Sequence, residues 1–139
     1  VTSKIITYDT VAPNPPSISN FVDVGGNDGV SQATVEWIAV TDSLSGLASY
    51  DLEVSDGTYT AVINISVDSS GNLTGPTIVS DPDNIINTVT LTTPASPNFT
   101  ITLTFNYTAD TNVTVKIRAT DKAGNHTVYD AGASDTIIF

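Results

Sequence analysis

Apolar and polar residues alternate along short stretches of this chain, and the alternation is clearest in its second half. From Val113 to Ala119 the odd positions are apolar and the even positions are polar, and Ile101 to Phe105 shows the same order. Trp37 continues an apolar series at every second position from Val35 to Ala39. Side chains of a β-strand point alternately to opposite faces, so each stretch predicts a strand with one face in a core. Trp37 is accordingly predicted to pack in that core.

Similar stretches recur between Gly, Pro, Asn and Asp residues, and no segment has the periodicity of a helix. Closely spaced strands without helices between them predict an antiparallel sandwich or barrel. The predicted strands are Lys4 to Tyr8, Ser17 to Val22, Ala33 to Val40, Ser49 to Val54, Tyr59 to Val67, Ile85 to Thr92, Phe99 to Tyr107, Val113 to Ala119, His126 to Tyr129 and Thr136 to Phe139.

Four motifs, taken in order, suggest a family. They are DTVAP at 9–13, VEW at 35–37, TDSLSGLASYDLEV at 41–54 and IRATDKAGN at 117–125. Together they resemble the fibronectin type III and bacterial immunoglobulin-like modules of microbial surface and secreted proteins. The resemblance implies an all-β, antiparallel immunoglobulin-like sandwich. This chain departs from such modules in an enlarged middle region, about Asp68 to Tyr107, and in Val113, where many of them have a tyrosine.

The two ends of the chain resemble each other. SKIITY at 3–8 aligns without a gap with SDTIIF at 134–139, and a segment with three prolines follows the first copy. We therefore divide the chain into a linking strand (1–8), a Pro-rich linker (9–16) and a sandwich domain (17–139). Either residues 1–8 end a preceding unit of a tandem array, or they are donated to the sheet of a neighbouring subunit. The residues predicted to make this inter-subunit strand are Ile5, Ile6, Thr7 and Tyr8.

Charge narrows the range of partners. The 139 residues include 15 Asp and Glu against 4 Lys and Arg, a net charge of −11. Nucleic acids and anionic membranes bind clustered cations, so neither is an expected partner, and no segment is apolar enough to insert into a membrane. Identical subunits, neighbouring repeats and neutral glycans remain as candidate partners.

The residues that catalysis needs are scarce. The chain has one histidine, His126, and no cysteine. It also lacks a Gly-x-Ser-x-Gly elbow, and its acidic residues are mostly Asp in turns, where Asp bonds to its own backbone. Zinc is not expected without nitrogen and sulfur ligands. We therefore predict that the protein is not an enzyme.

Calcium is the one metal that the sequence suggests. In the family resembled, the loop after the Trp37 strand and the loop after the Val113 strand emerge at the same end of the sandwich. Asp42, Asp121 and Asn125 would then offer oxygen ligands to a hard cation. The alternative is that the same side chains form turn hydrogen bonds with no ion. No other cofactor is expected.

Six Asn-x-Ser/Thr sequons suggest glycosylation, and hence an exported protein. A Thr-rich chain can also produce sequons by accident. The asparagines concerned are Asn64, Asn72, Asn98, Asn106, Asn112 and Asn125.

These features predict a structural subunit or repeat of an extracellular cell-surface assembly, such as a pilus-like filament, a stalk or an adhesin. Its units would be joined head to tail. The alternative is an accessory module of a secreted enzyme, either a spacer or a carbohydrate-binding module that uses Tyr59, Tyr107 and Tyr129.

Overall fold

The computed structural model describes residues 8–139, in which nine strands and no helix are present. The predicted strand Lys4 to Tyr8 lies outside the described residues except for Tyr8. The strands are β1 (Ile18–Asp23), β2 (Ser31–Ile38), β3 (Leu47–Ser55), β4 (Thr60–Val67), β5 (Leu73–Ser80), β6 (Ile86–Thr93), β7 (Asn98–Phe105), β8 (Thr111–Asp121) and β9 (Ala133–Ile137).

The strands form two antiparallel sheets. One has four strands in the order β1-β2-β7-β6, and the other has five in the order β5-β4-β3-β8-β9. This confirms the predicted all-β architecture and is consistent with a β-sandwich. Among residues 8–139 there is no helix of the length and hydropathy that crossing a membrane requires.

The core lies between the sheets and consists of the apolar positions of the alternating stretches. In β8, Val113, Val115, Ile117 and Ala119 are each at most 1% exposed. The largest buried side chain, Trp37 on β2, contacts the ring of Tyr50 on β3 edge-on at 5.5 Å between centroids. It contacts the ring of Phe99 on β7 at 5.6 Å. These three rings join both sheets, as expected for Trp37.

One strand was not predicted, and one predicted strand is absent. β5 was not predicted, because its sequence LTGPTIVS contains Gly75 and Pro76 and its inward side chains do not alternate clearly. His126 to Tyr129 is not a strand and makes only an isolated bridge between His126 and Thr120. Both the backbone and the side chain of Thr127 bond to β8: Thr127 N donates to Ala119 O at 3.0 Å, and Thr127 Oγ1 accepts from Ala119 N at 3.1 Å.

The strand directions define two ends of the sandwich. The linker pole comprises residues 9–16, 39–46, 68–72, 94–97 and 122–125, and the far pole comprises residues 24–30, 56–59, 81–84, 106–110 and 138–139. β8 runs from the far pole to the linker pole, and β9 returns antiparallel to it. The chain therefore passes from Asp9 at the linker pole to Phe139 at the far pole.

One lateral side of the sandwich, between β1 and β9, is closed by carboxylates. Asp135 Oδ2 accepts from Asp23 N, and Asp23 Oδ1 accepts from Ile138 N, both at 2.9 Å. Asp130 accepts from Ile18 N at 2.9 Å and from Ile117 N at 2.8 Å. These bonds satisfy backbone groups that the edges of the two sheets would otherwise leave free.

Candidate functional site

Three acidic side chains meet at the linker pole. Asp9, Asp42 and Asp121 each bring a carboxylate oxygen to within 4.8 Å of the other two. Asp42 and Asp121 belong to the predicted set, and their loops emerge at the same end as expected. Asp9 was assigned only to the linker. We refer to Asp9, Asp42 and Asp121 as the acidic cluster.

Asp42 organises the loop between β2 and β3. Its Oδ2 accepts from Ser45 N and from Gly46 N, both at 3.0 Å. Gly46 has φ +86°, a conformation that L side chains rarely adopt, so the tight turn requires glycine here. The pattern DSLSG therefore has a local structural reason, whether or not an ion binds.

Asp121 ends β8 and is 2% exposed. Its Oδ1 accepts from Ala123 N at 3.0 Å and from Asn125 N at 2.8 Å. Its Oδ2 accepts from Asn125 Nδ2 at 2.9 Å. The buried carboxylate thus supports the whole turn DKAGN.

Asp9 reaches the cluster from the linker. Its Oδ2 accepts from Ser45 Oγ at 2.6 Å and from Ser45 N at 3.2 Å, and its Oδ1 accepts from Val11 N at 2.9 Å. Hydrogen bonding, above all from the Ser45 hydroxyl, lowers the pKa of Asp9 to about 2. Asp9 begins the motif DTVAP, so the sequence contained a signal for it, but the prolines alone suggested a free joint.

The rest of the linker also lies against the domain. Asn14 N donates to Thr41 O and Asn14 Nδ2 donates to Thr41 Oγ1, both at 3.0 Å. Pro13 and Pro16 are buried. Residues 9–16 are therefore fastened to the linker pole at several points.

The side chain of Asn125 connects the linker to the end of β8. Its Nδ2 donates both to Asp121 Oδ2 and to the backbone oxygen of Asp9, at 2.9 Å in each case. To offer an oxygen to an ion lying among the carboxylates, the amide would have to turn over and lose these bonds. The structure thus brings the predicted ligands together, but it presents the nitrogen of Asn125 to the cluster.

The cluster has oxygen donors of the kind that calcium prefers. In residues 8–139 the one ion pair is between Arg118 and Asp51, at 2.9 Å, so no lysine or arginine there forms an ion pair with the cluster. Lys122, beside Asp121, extends past Gly46 and lines the same surface depressions as Asp9 and Asp42 without forming an ion pair with either. Mutual repulsion of three carboxylates is a physical reason to expect that a cation would stabilise this pole.

Comparison with known proteins gives no match: no family model, no curated protein and no solved structure is significantly similar to this chain.

The six sequon asparagines differ in what their amide nitrogens do. Asn64 Nδ2 donates to Asp51 Oδ1 at 2.8 Å, and Asn106 Nδ2 donates to Asn84 O at 2.9 Å. Asn125 Nδ2 donates to Asp121 Oδ2 and to Asp9 O, as described above. No such donation is found within residues 8–139 for the other three. These are Asn72, which is half-buried, and Asn98 and Asn112, which are exposed. Glycosylation stays a prediction, and the structure favours these three positions for it.

Two of the three tyrosines proposed for sugar binding lie beside the same carboxylate, that of Asp56. Tyr107 stacks on Phe105 with 5.3 Å between centroids, and burial together with the Asp56 carboxylate raises the pKa of its hydroxyl. Tyr129 lies under Arg118, 4.9 Å from the guanidinium carbon to the ring centroid. Tyr59 is 45% exposed in the turn between β3 and β4. Tyr59 N and the Tyr107 hydroxyl both donate to Asp56, at 2.7 and 3.2 Å, and no such contact within residues 8–139 links Tyr129 to them.

Of the predicted inter-subunit strand, Ile5, Ile6 and Thr7 lie outside the described residues, and Tyr8 is 77% exposed. His126, which was predicted to have no catalytic role, is an exposed residue after the turn that Asp121 supports.

Calcium binding at the acidic cluster is tested by thermal unfolding. Sites in extracellular modules have dissociation constants of about 10⁻⁴ to 10⁻³ M, so about 10 mM calcium is expected to stabilise the fold by about 1.4–2.7 kcal/mol. We expect Tm to rise by several degrees over that in a chelator. Asp42→Asn should remove the rise, and Asp68→Asn, in the turn between β4 and β5 at the same pole, should retain it. Absence of both a heat signal and a Tm change in the wild type would contradict the prediction.

Proposed function

We propose that this chain is a structural unit of an extracellular cell-surface assembly, joined end to end with neighbouring units. Its role is to hold neighbouring units at a fixed spacing and to bear tension, with no catalytic step. The unit is a rigid sandwich, and the assembly would be a stalk, a filament or an adhesin shaft.

The observation that carries the proposal is the placement of the two ends of the fold. Residues 9–16 are bonded to the linker pole, and β9 ends at the far pole. A unit that is entered at one pole and left at the other can be repeated along one axis. Because the linker is hydrogen-bonded to the domain through Asp9 and Asn14, these bonds would hold the angle between one unit and the unit before it.

The direction of the first and last strands is suited to resisting tension along the unit. β1 and β9 both run from the linker pole to the far pole, side by side, and tension between the ends would shear them past each other. The bonds from Asp23 N to Asp135 and from Ile138 N to Asp23 lie across that shear. In shear several bonds must break together, which resists extension more than opening them one at a time.

The acidic surface and the sequons support an exported location. A net charge of −11 favours the solubility of the units. Glycans at Asn98 or Asn112 would extend from exposed positions without breaking a bond of the amide nitrogen. Partners in this proposal are identical subunits or neighbouring repeats.

Donation of a strand is a second way to join units. Ile5 to Tyr8 of one subunit would enter the sheet of the next and would repeat head to tail as a filament. Electron microscopy of native material distinguishes the two forms, because donation predicts ordered fibres assembled from separate chains, and a tandem array predicts beads along one chain.

The joint is tested with two copies of the chain linked in tandem. We expect small-angle scattering to give an extended particle with a narrow spread of lengths. Asp9→Ala combined with Asn14→Ala should broaden that spread, because it removes bonds to Ser45 and Thr41. Glu36→Ala, which changes charge on the outer face of β2, is the control. A compact, folded-back wild-type tandem would contradict end-to-end joining.

The alternative, an accessory module of a secreted enzyme, is tested on a glycan array. Binding that is lost in Tyr129→Ala, with the fold intact, would favour the carbohydrate-binding form over the structural unit.

A further inference from the structure

The second lateral side of the sandwich, between β5 and β6, differs from the carboxylate-closed side. β5 and β6 are the edge strands there, and neither contains a charged residue. The edge strands of the closed side contain Asp23 and Asp135. In a chain of net charge −11, two adjacent edges without charge are unusual, because charged side chains are a common protection of free edges.

The two edges are not equally open. β5 contains Gly75 and Pro76, and its pairing with β4 shifts register twice. Proline and irregular pairing both hinder the addition of another strand. β6 has the sequence INTVTLTT, without Gly or Pro, and among the described strands only β7 pairs with it. The stretch from Thr88 to Leu91 is regular, since the register shifts of β6 lie outside it.

The side chains of this stretch divide between the faces. Thr88, Thr90 and Thr92 are exposed on the outer face of the sheet. Val89 and Leu91 point toward the core but are only half-buried. A strand added beside β6 would complete their burial.

We propose that β6 is a self-association edge at which β6 of a second copy pairs antiparallel across a two-fold axis through Thr90. This register places Thr90 against Thr90 of the second copy and Val89 against Leu91 within the regular stretch, and it places Thr88 against Thr92, which lies in the register shift after Leu91. Outer-face threonines then face threonines, and half-buried aliphatic side chains meet each other. The product is a continuous sheet of eight strands, four from each copy.

A second copy is the occupant that the edge itself favours, because Thr and aliphatic residues are arranged symmetrically about Thr90. Two chains of −11 repel each other over most of their surfaces, and β6 is the regular edge where the backbones approach without facing carboxylates. The contact is one strand wide, well below the roughly 1,200 Å² of a stable interface, so it is weak for single chains. In rows of units, many such contacts would act together by avidity, a step that rests on the proposed function.

Sedimentation of the single 139-residue chain tests the edge without depending on end-to-end joining. We expect association that grows with concentration up to about 1 mM. Thr90→Lys places like charges directly opposite each other and should weaken association about tenfold or more. Thr34→Lys is the matched control, since Thr34 lies in the same cross-strand row on β2, two strands from the edge, and should leave association unchanged. A wild-type chain that stays monomeric at about 1 mM, or equal effects of the two lysines, would overturn the proposal.

A disulfide tests the register, because the chain has no cysteine of its own. Thr90→Cys is expected to form a covalent dimer under mild oxidation much faster than Thr34→Cys at equal concentration. Equal rates would overturn the two-fold register, as would loss of association in Thr90→Lys without crosslinking of Thr90→Cys. Circular dichroism should show unchanged melting of the Thr90 variants, since Thr90 is exposed on an edge.

Discussion

Trp37→Ala is expected to lower the free energy of unfolding by about 3–5 kcal/mol, the usual cost of removing a large aromatic side chain from a packed core. Trp37 is 1% exposed and contacts both Tyr50 and Phe99. The cavity would lie where the two sheets meet, so neighbouring rings cannot fill it without moving a sheet. Urea unfolding followed by circular dichroism measures the loss, because the variant has no tryptophan fluorescence.

Two further variants sharpen this experiment. Trp37→Phe should cost clearly less, because it keeps a ring and removes Nε1, which is buried and has no hydrogen-bond partner among the described residues. Ile38→Ala, at the next position and 58% exposed, should change stability by about 0.5 kcal/mol or less. A larger loss in Ile38→Ala than in Trp37→Ala would reverse the assigned faces of β2.

Alternation in the sequence was sufficient to place most of the core. It works for β2, β7 and β8 because each has one buried face, and a period of two then appears directly in the residue types. It failed for β5 because that strand lies at an edge, with mostly exposed residues and with Pro76 inside it. It also misassigned His126 to Tyr129, where the side chains of Thr127 and, just beyond, Asp130 accept from backbone N–H groups of β8 in place of a continuous ladder.

The candidate site was partly predictable. The loop after β2 and the loop after β8 lie at the same end of any sandwich with this topology, so Asp42 and Asp121 were predicted to be neighbours. The structure brings them together. Asp9 was missed because its role depends on the linker folding back onto the pole. Local sequence does not encode that contact, which comes from Ser45 and Asn125, 36 and 116 residues away.

The linker pole therefore combines two roles in the same residues. Asp9 and Asn125 hold the linker, and Asp42 and Asp121 shape the loops that receive it. An ion at the acidic cluster would strengthen the joint between units through the same contacts. Calcium and joint stiffness should thus be coupled, a physical link between the predicted metal and the proposed mechanical role.

Asp121→Ala is expected to lower the free energy of unfolding by about 2–4 kcal/mol, measured by urea unfolding in a chelator. Its carboxylate is buried and accepts from Ala123 N, Asn125 N and Asn125 Nδ2, and a hydrogen bond to a charged group contributes about 1.5–3 kcal/mol. Relief of repulsion from Asp9 and Asp42 offsets part of this loss.

Asp42→Ala separates the loss of hydrogen bonds from the relief of repulsion within the acidic cluster. It relieves similar repulsion, but Asp42 is half-buried whereas Asp121 is 2% exposed, so the loss should be smaller than in Asp121→Ala. With calcium present, both variants should lose more relative to the wild type, because only the wild type would gain from the ion. If Asp121→Ala proves neutral or stabilising in a chelator, repulsion within the cluster exceeds its hydrogen bonding, and the turn DKAGN does not depend on this carboxylate.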